Sequence, residues 1–330
     1  MNMQSSKSKL VRNGIIVLLI PSVIFLVLLL AYPQNISLAN IPLILSQAIA
    51  PAILAWGVSF CLISGNWDFS IGAAQLMAAI IGGRIALQLD IGFAGVAVFA
   101  ILAGFCCGLI TALVFYVLRI PTIIVTVGMM LIYESLSGVF FDGFGVSMPP
   151  GYLVVSKFPN NFIVLAIVFA VSYYLHNFRK IGYHVRAVGN NAVVASLSGI
   201  DVYKIKATAL VLASTYAGIY AMYSLGLSGT QKAASNMQTS SLVFDSMMCV
   251  FLGMALQRLC NLVIGIYIGS VTMQLIRLTL LVFGFPSQYN QIIIAVFVLV
   301  FMAISYNGEG VRRLFEWFSA LKQNEKVTAE

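Results

Sequence analysis

Charged side chains are scarce in this sequence, at 8% of 330 residues, and the acidic ones number only ten. With 61% of residues hydrophobic and a mean hydropathy of +0.99, there is too little polar surface to clothe a soluble globule. Histidine is rarer still. Both copies, His176 and His184, fall in one polar stretch, which leaves no paired His-Glu metal site and no Ser-His-Asp set. A G-x-x-x-x-G-K-S/T phosphate loop is also missing, so no nucleotide site is recognisable by that motif. The five cysteines, Cys61, Cys106, Cys107, Cys249 and Cys260, are odd in number and lack metal-ligand spacing. They sit in or beside apolar runs and read as small buried hydrophobes. Hydrophobicity is continuous instead of alternating, which argues against a β-barrel. These absences leave no basis for a soluble protein or an enzyme.

What is present is a succession of apolar runs, each near the length of about 20 residues that a helical span requires. They predict an all-α polytopic membrane protein of about ten transmembrane helices. The expected spans are Asn13–Tyr32, Ile41–Ile63, Ser70–Leu87, Ile91–Leu118, Thr122–Phe141, Phe162–Phe178, Ile205–Leu227, Leu242–Leu256, Leu259–Phe283 and Tyr289–Tyr306. The first follows Lys7, Lys9 and Arg12, lacks a small-residue cleavage site and reads as a retained span. With the N-terminus inside, fourteen of the 18 lysines and arginines lie on inner segments. The positive-inside rule then puts both termini in the cytoplasm. Topology thus accounts for the net charge of +8, and nucleic acid is not needed as a partner. Residues 1–330 form a single transmembrane domain, with a cytoplasmic N-terminus at 1–12, an outer loop at 142–161, a cytoplasmic loop at 179–204 and a cytoplasmic tail at 307–330.

The cytoplasmic loop is the most polar part of the chain. Within His176–Lys206 fall five Lys and Arg, both histidines and an Asp. Asn190–Leu197 reads as a short helix with small and apolar residues on one side, Gly199 as its stop, and Asp201 as the cap of the helix that re-enters the membrane. Such a helix can be gripped by a partner; the plainer alternative is a solvated connection.

Polar residues elsewhere are few enough to weigh one by one. Gly, Asn and Asp in Ser64–Gly72 mark a helix that stops and restarts, where Asp68 is either a cap or a group facing a pathway. Glu134 lies inside a span. It requires a partner such as Arg84 or Arg277, a protonated state, or a wet pore. Gly82, Gly83, Gly92, Gly95, Gly104 and Gly108 read as close-packing faces. Gln274 and Arg277, three apart, share a helix face.

Four stretches carry a family resemblance. In the cytoplasmic loop these are Gly182, Ala187, Val188, Gly189, Asn190, Ala195, Ser198, Gly199 and Ile200. At the helix break they are Ser64, Gly65, Asp68, Ser70 and Gly72, then Pro121, Thr126, Gly128 and Met130 in PTIIVTVGMM, and finally Asp245 and Gly253 in LVFDSMMCVFLG. In spacing they resemble the permeases of ribose and simple-sugar ATP-binding-cassette (ABC) importers. Departures are Tyr183 where Arg is usual, Arg186 where Tyr is usual, Val194 in place of Ala, and Met254 where a second Gly is usual.

The resemblance implies a vitamin-importer-like (type II) ABC permease fold in a bacterial inner membrane. It implies a second permease copy or paralogous permease, and the departures favour a heterodimer. A periplasmic or lipid-anchored solute-binding protein would deliver a small sugar or sugar-like solute. Separate ATPase subunits would bind ATP and Mg, leaving no cofactor in this chain. The loop residues implied to couple to the ATPase are Gly189, Asn190, Val194, Ala195, Leu197, Ser198, Gly199 and Ile200. Candidate pathway or gate residues are Asn66, Asp68, Gln75, Glu134, Asp245 and Gln274. The alternative from another class is an ion-coupled secondary transporter of ten spans, with broken helices at Gly65 and Gly229.

Overall fold

The computed structural model describes residues 3–284 except Asn35, together with isolated positions between 289 and 300, and gives side chains from Val17 onward except Asp142. Among residues 3–284 twelve α-helices follow in order: α1 Met3–Ala31, α2 Ile41–Gln47, α3 Ile49–Ile63, α4 Ser70–Gln88, α5 Gly92–Leu118, α6 Thr122–Val139, α7 Asn160–Asn177, α8 Lys180–Asn190, α9 Ala192–Leu197, α10 Val202–Ser228, α11 Ser240–Ala255 and α12 Leu262–Val282. Among the described residues seven helical stretches are long and apolar enough to cross a membrane. They match the second to fifth and seventh to ninth expected spans. The sixth matches α7, which reaches the length and apolarity of a span only together with α8, bent from it by 60°. The first is the shorter apolar part of α1, Val17–Ala31, although the helix itself starts at Met3 inside the expected N-terminal segment. The tenth span and the tail at 307–330 lie outside the described residues. One departure from an all-α chain is a two-stranded antiparallel ribbon, β1 Val146–Ser147 with β2 Thr230–Gln231.

The chain divides into two compact units, residues 38–250 and residues 1–37 with 251–330, the division falling inside α11. In the smaller unit α1 packs on α12, with Val17, Leu256 and Ile268 buried together. Tyr32 meets Phe283 edge to face, with ring centroids 5.2 Å apart.

In the larger unit α10 is the central helix, packed on α3, α4 and α5. Lipid offers no hydrophobic gain for helix association, so tight contact depends on small residues that let backbones approach. Gly104 and Gly218 face each other: a Cβ on Gly104 would lie 2.6 Å from the Ser214 carbonyl oxygen, and one on Gly218 would lie 2.6 Å from that of Ala100. Gly82 and Gly108 make comparable approaches to Ala100 and Val211. The opposite face of α5 carries exposed Val98, Leu102, Phe105, Leu109, Leu113 and Val117, spaced by three or four residues as a lipid-facing stripe requires.

The segment 142–161 is ordered against one end of this bundle. Arg84 donates to the Gly145 carbonyl at 2.7 Å and lies over the Phe141 ring. Met148 N–H donates to Gly229 O at 2.7 Å, and the amides of Val155 and Ser156 share Gly226 O. Arg84 is therefore committed to this segment and is not the partner of Glu134.

Replacing Gly104 with Leu is expected to force α5 off α10, a steric cost of about 1–3 kcal/mol. Gly128→Ala is the control, because nothing lies within 4 Å of a Cβ there. Thermal unfolding in detergent followed by size exclusion should show a clear loss of melting temperature for the first variant and none for the second.

Candidate functional site

The polar stretch forms a built platform. At its entry, α7 ends in carbonyls that have no intrahelical donor. Arg186, one and a half turns into α8, returns to them: its guanidinium donates to the His176 carbonyl, while its Nε donates to Gly182 O at 2.9 Å. Tyr183 Oη donates to Asn177 O at 2.6 Å, and the Arg186 guanidinium stacks over the Tyr183 ring 5.3 Å from its centroid. Cationic and hydroxyl donors thus close the negative end of α7 and fix its bend into α8. Gly182 is required by the closeness of this joint, since a Cβ there would sit 2.3 Å from His176 O.

His176 anchors the joint from below. Its Nε2 lies 2.9 Å from Ser59 Oγ on α3, and its Nδ1 lies 3.0 Å from Ser172 O. Ser172 Oγ in turn meets Tyr216 Oη on α10 at 2.8 Å. One buried histidine therefore links α3, α7 and, through Ser172, α10.

The short helix ends where the sequence places it, at Leu197, but it starts at Ala192, two residues after the expected Asn190. Asn190 is the last residue of α8, and Asn191 caps α9, its Oδ1 accepting from the amides of Val193 and Val194 at 3.0 and 3.1 Å. Gly199, at φ +82°, ends α9 as expected, while Ile200 N–H returns to Ala195 O at 3.1 Å. Asp201 caps α10 by accepting from Lys204 N–H at 3.1 Å. That bond holds the exposed carboxyl below its usual range, and the Lys204 ammonium at 3.3 Å adds to the effect.

Exposure on α9 differs from the expected face. Ala195 is buried, turned toward its own fold, so it is not an outward contact as it stands. The outward apolar side chains are Val193, Val194 and Leu197, the last 83% exposed. Val193 escapes a reading based on motif positions alone. Ser198, Gly199 and the partly covered Ile200 border this face.

The platform rests on the helix break. A Cβ on Gly189 would lie 1.7 Å from the Ile63 carbonyl oxygen, so the end of α8 is seated on the end of α3, backbone against backbone. Asn66 is buried, and its Nδ2 donates to Lys206 O at 3.3 Å, tying the break to the first turn of α10. Asp68, one residue before the N-cap Phe69, holds the start of α4: Oδ1 accepts from Ser70 N and Ser70 Oγ at 2.9 and 2.7 Å, and its second oxygen is buried without a hydrogen bond. Thr126 Oγ1 reaches Trp67 O at 3.1 Å, bringing α6 to the same break.

Glu134 is explained without a pore or a cation. It is buried, and Oε1 accepts from Thr239 N and Thr239 Oγ1 at 2.9 and 2.6 Å, while Oε2 accepts from Met237 N at 2.8 Å. Asn236 and Met237 both have left-handed backbones, at φ +57° and +60°, and the carboxylate holds this turn in front of α11. Ser137 Oγ adds bonds to Ala234 N and O. The signal in the sequence was the run Thr230–Ser241, polar and small between two spans. Gln75, nearly fully buried on α4, reaches Gln231 at 3.4 Å. Asp245 is half-buried on α11 and Gln274 half-buried on α12. Five of the six candidate pathway residues belong to the larger unit, and Gln274 belongs to the smaller one. Asn66 and Asp68 share the break, Gln75 and Glu134 meet the 230–239 segment, and Asp245 and Gln274 are on separate helices.

Glu134→Gln leaves one oxygen to meet three donors, each charge-assisted bond being worth about 1.5–3 kcal/mol. Residues 232–239 should then exchange amide hydrogens faster by an order of magnitude or more, while α4 and α10 keep their protection. Unchanged exchange in that segment would remove the anchoring role.

A family model described as branched-chain amino acid transport system / permease component matches residues 40–302. The ribose import permease protein RbsC of Escherichia coli (strain K12) is 26% identical over 288 residues, covering 81% of this chain and 86% of that protein. The galactose/methyl galactoside import permease protein MglC of the same strain is 24% identical over 327 residues, covering 91% and 95%. The probable ABC transporter permease protein YphD, again of that strain, is 24% identical over 300 residues, covering 87% and 88%. No solved structure is significantly similar to the chain. The apolar helices and the match over most of the sequence agree: the chain belongs to the family of transport-system permease components.

Proposed function

We propose that this chain is the membrane-spanning subunit of an ABC importer for a small sugar or sugar-like solute. An extracytoplasmic binding protein delivers the solute, and separate ATPase subunits carry ATP and Mg and drive the cycle. The names of the similar ribose and galactose permeases support the solute class. The chain works as a pair with a second permease, and the departures at Val194 and Met254 favour a paralogous partner. Both termini and the 179–204 segment face the cytoplasm, in line with the placement of basic residues.

The observation that carries the proposal is α9. A helix of six residues is too short to persist alone, yet it is capped by Asn191, closed at Gly199, and set on a braced platform with Val193, Val194 and Leu197 turned outward. Apolar side chains held rigidly in a polar segment fit a groove on a partner. A secondary transporter has no use for such a helix. For the pathway, Gln75, Asp245 and Gln274 remain candidates, because Asp68 and Glu134 serve as acceptors within the fold. Few polar groups suit a pathway that holds its solute loosely and leaves selection to the binding protein.

The test is co-purification of the tagged chain from membranes, wild type beside Leu197→Asp. The wild type should retain a cytoplasmic ATPase and its activity, and the variant should lose at least about tenfold of that association, as expected for a central apolar contact worth about 1.4 kcal/mol or more. A chain that purifies without an ATPase and accumulates ribose or galactose only under a sodium or proton gradient would overturn the reading.

A further inference from the structure

Beside the platform lies a cavity of about 510 Å³ whose walls come from four helix ends: Gly65 and Trp67 at the break, Phe115, Arg119 and Ile120 closing α5, Pro121 to Ile123 opening α6, and Val202, Tyr203 and Lys206 opening α10. It holds two cations and no carboxylate. Lys206 is half-buried, and among the described residues its ammonium has neither a hydrogen bond nor an ion pair; the salt bridge described in this region joins Lys204 to Asp201. Arg119 lies with its guanidinium 5.5 Å from the Tyr203 ring centroid and likewise has no acidic partner among the described residues. Arg119 also occupies the C-cap of α5 at φ +53°, a left-handed position that favours Gly. The cation is thus kept where the backbone would prefer another residue. The first turn of α6, which no side chain caps, forms part of the same wall.

The rest of the lining is apolar and aromatic. Trp67 is 44% exposed and Tyr203 41% exposed, side chains of the type that settle where hydrocarbon meets water. The same ends of α5 and α6 also carry exposed Val117, Leu118, Ile123 and Ile124. A cationic cup at the ends of spanning helices, leading onto a hydrocarbon-facing surface, matches an amphiphile with an anionic head.

We propose that this cavity is a phosphate-anion site, held by Arg119 and Lys206, whose occupant is a phospholipid headgroup with its acyl chains lying on the adjoining apolar surface. The same chemistry would accept free phosphate from the cytoplasm, and the experiment separates the two sources. The inference depends on the chain lying in a membrane and not on the transported solute or the ATPase.

Trp67 is a reporter built into the site. The purified full chain is reconstituted in phosphatidylcholine nanodiscs into which brominated phosphatidylglycerol or brominated phosphatidylcholine is titrated, and the emission component that Trp67→Phe removes is followed. In the wild type, brominated phosphatidylglycerol should quench at several-fold lower mole fraction than brominated phosphatidylcholine. Arg119→Gln and Lys206→Gln should each weaken that preference about fivefold, whereas Lys180→Gln, outside the cavity, should keep it. If inorganic phosphate added to neutral nanodiscs shifts Trp67 emission and displaces the brominated anionic lipid, the phosphate site stands and is open to a soluble occupant as well. Equal quenching by the two lipids in the wild type, with no response to phosphate, overturns the proposal. That comparison needs no variant to fold.

Discussion

The arrangement depends on one close contact, the seat of Gly189 on the Ile63 carbonyl. Two helix ends meet there without a side chain between them, and such a contact cannot slide or tilt without breaking other bonds. To one side, Arg186 and Tyr183 fasten α8 to the carbonyl end of α7. To the other, Asn66 reaches from the break to the first turn of α10. The short helix α9 is the outward tip of this braced assembly, and the break between α3 and α4 is its inward foot. A push on α9 is therefore delivered to the point where two membrane helices are already interrupted, the least costly place in the unit to bend.

The departures from the family pattern gain a physical meaning in the same joint. Arg and Tyr are three residues apart, on one face of α8, and here they occupy each other's usual positions. The pair is kept, stacked ring on guanidinium, and both members supply donors to the end of α7. The two departures therefore leave the end of α7 supplied with donors. At Val194 the change replaces a small side chain with a larger apolar one on the exposed face, so it alters what the helix offers outward without disturbing its core.

Much of this was legible in the sequence, for reasons that differ from residue to residue. Apolar runs give the spans because bilayer thickness sets helix length. Gly199 and Asp201 announce a stop and a cap because few residues serve those roles, and Asp68 emerges as an acceptor at the restart of the helix, one residue ahead of the cap position. The start of α9, expected at Asn190, falls at Ala192 because two asparagines adjoin, and only backbone geometry tells that Asn191 has left the helix while Asn190 has not. The burial of Ala195 could not be read because α9 is too short for its periodicity to define a face. Glu134 was the hardest case. Its partners are backbone amides about a hundred residues away, and an amide carries no mark in a sequence.

The most direct test of the account is to place a Cβ at its central contact and measure two quantities on one preparation. In proteoliposomes containing Gly189→Ala and the co-purified ATPase, α9 still presents its outward face. ATPase association and hydrolysis should therefore persist near wild-type levels, while uptake of the sugar carried by the wild type falls by about tenfold or more, the signature of a lost coupling free energy of about 1–3 kcal/mol. Wild-type uptake per ATP hydrolysed in that variant would show that force does not pass through the Gly189 seat and would contradict the account.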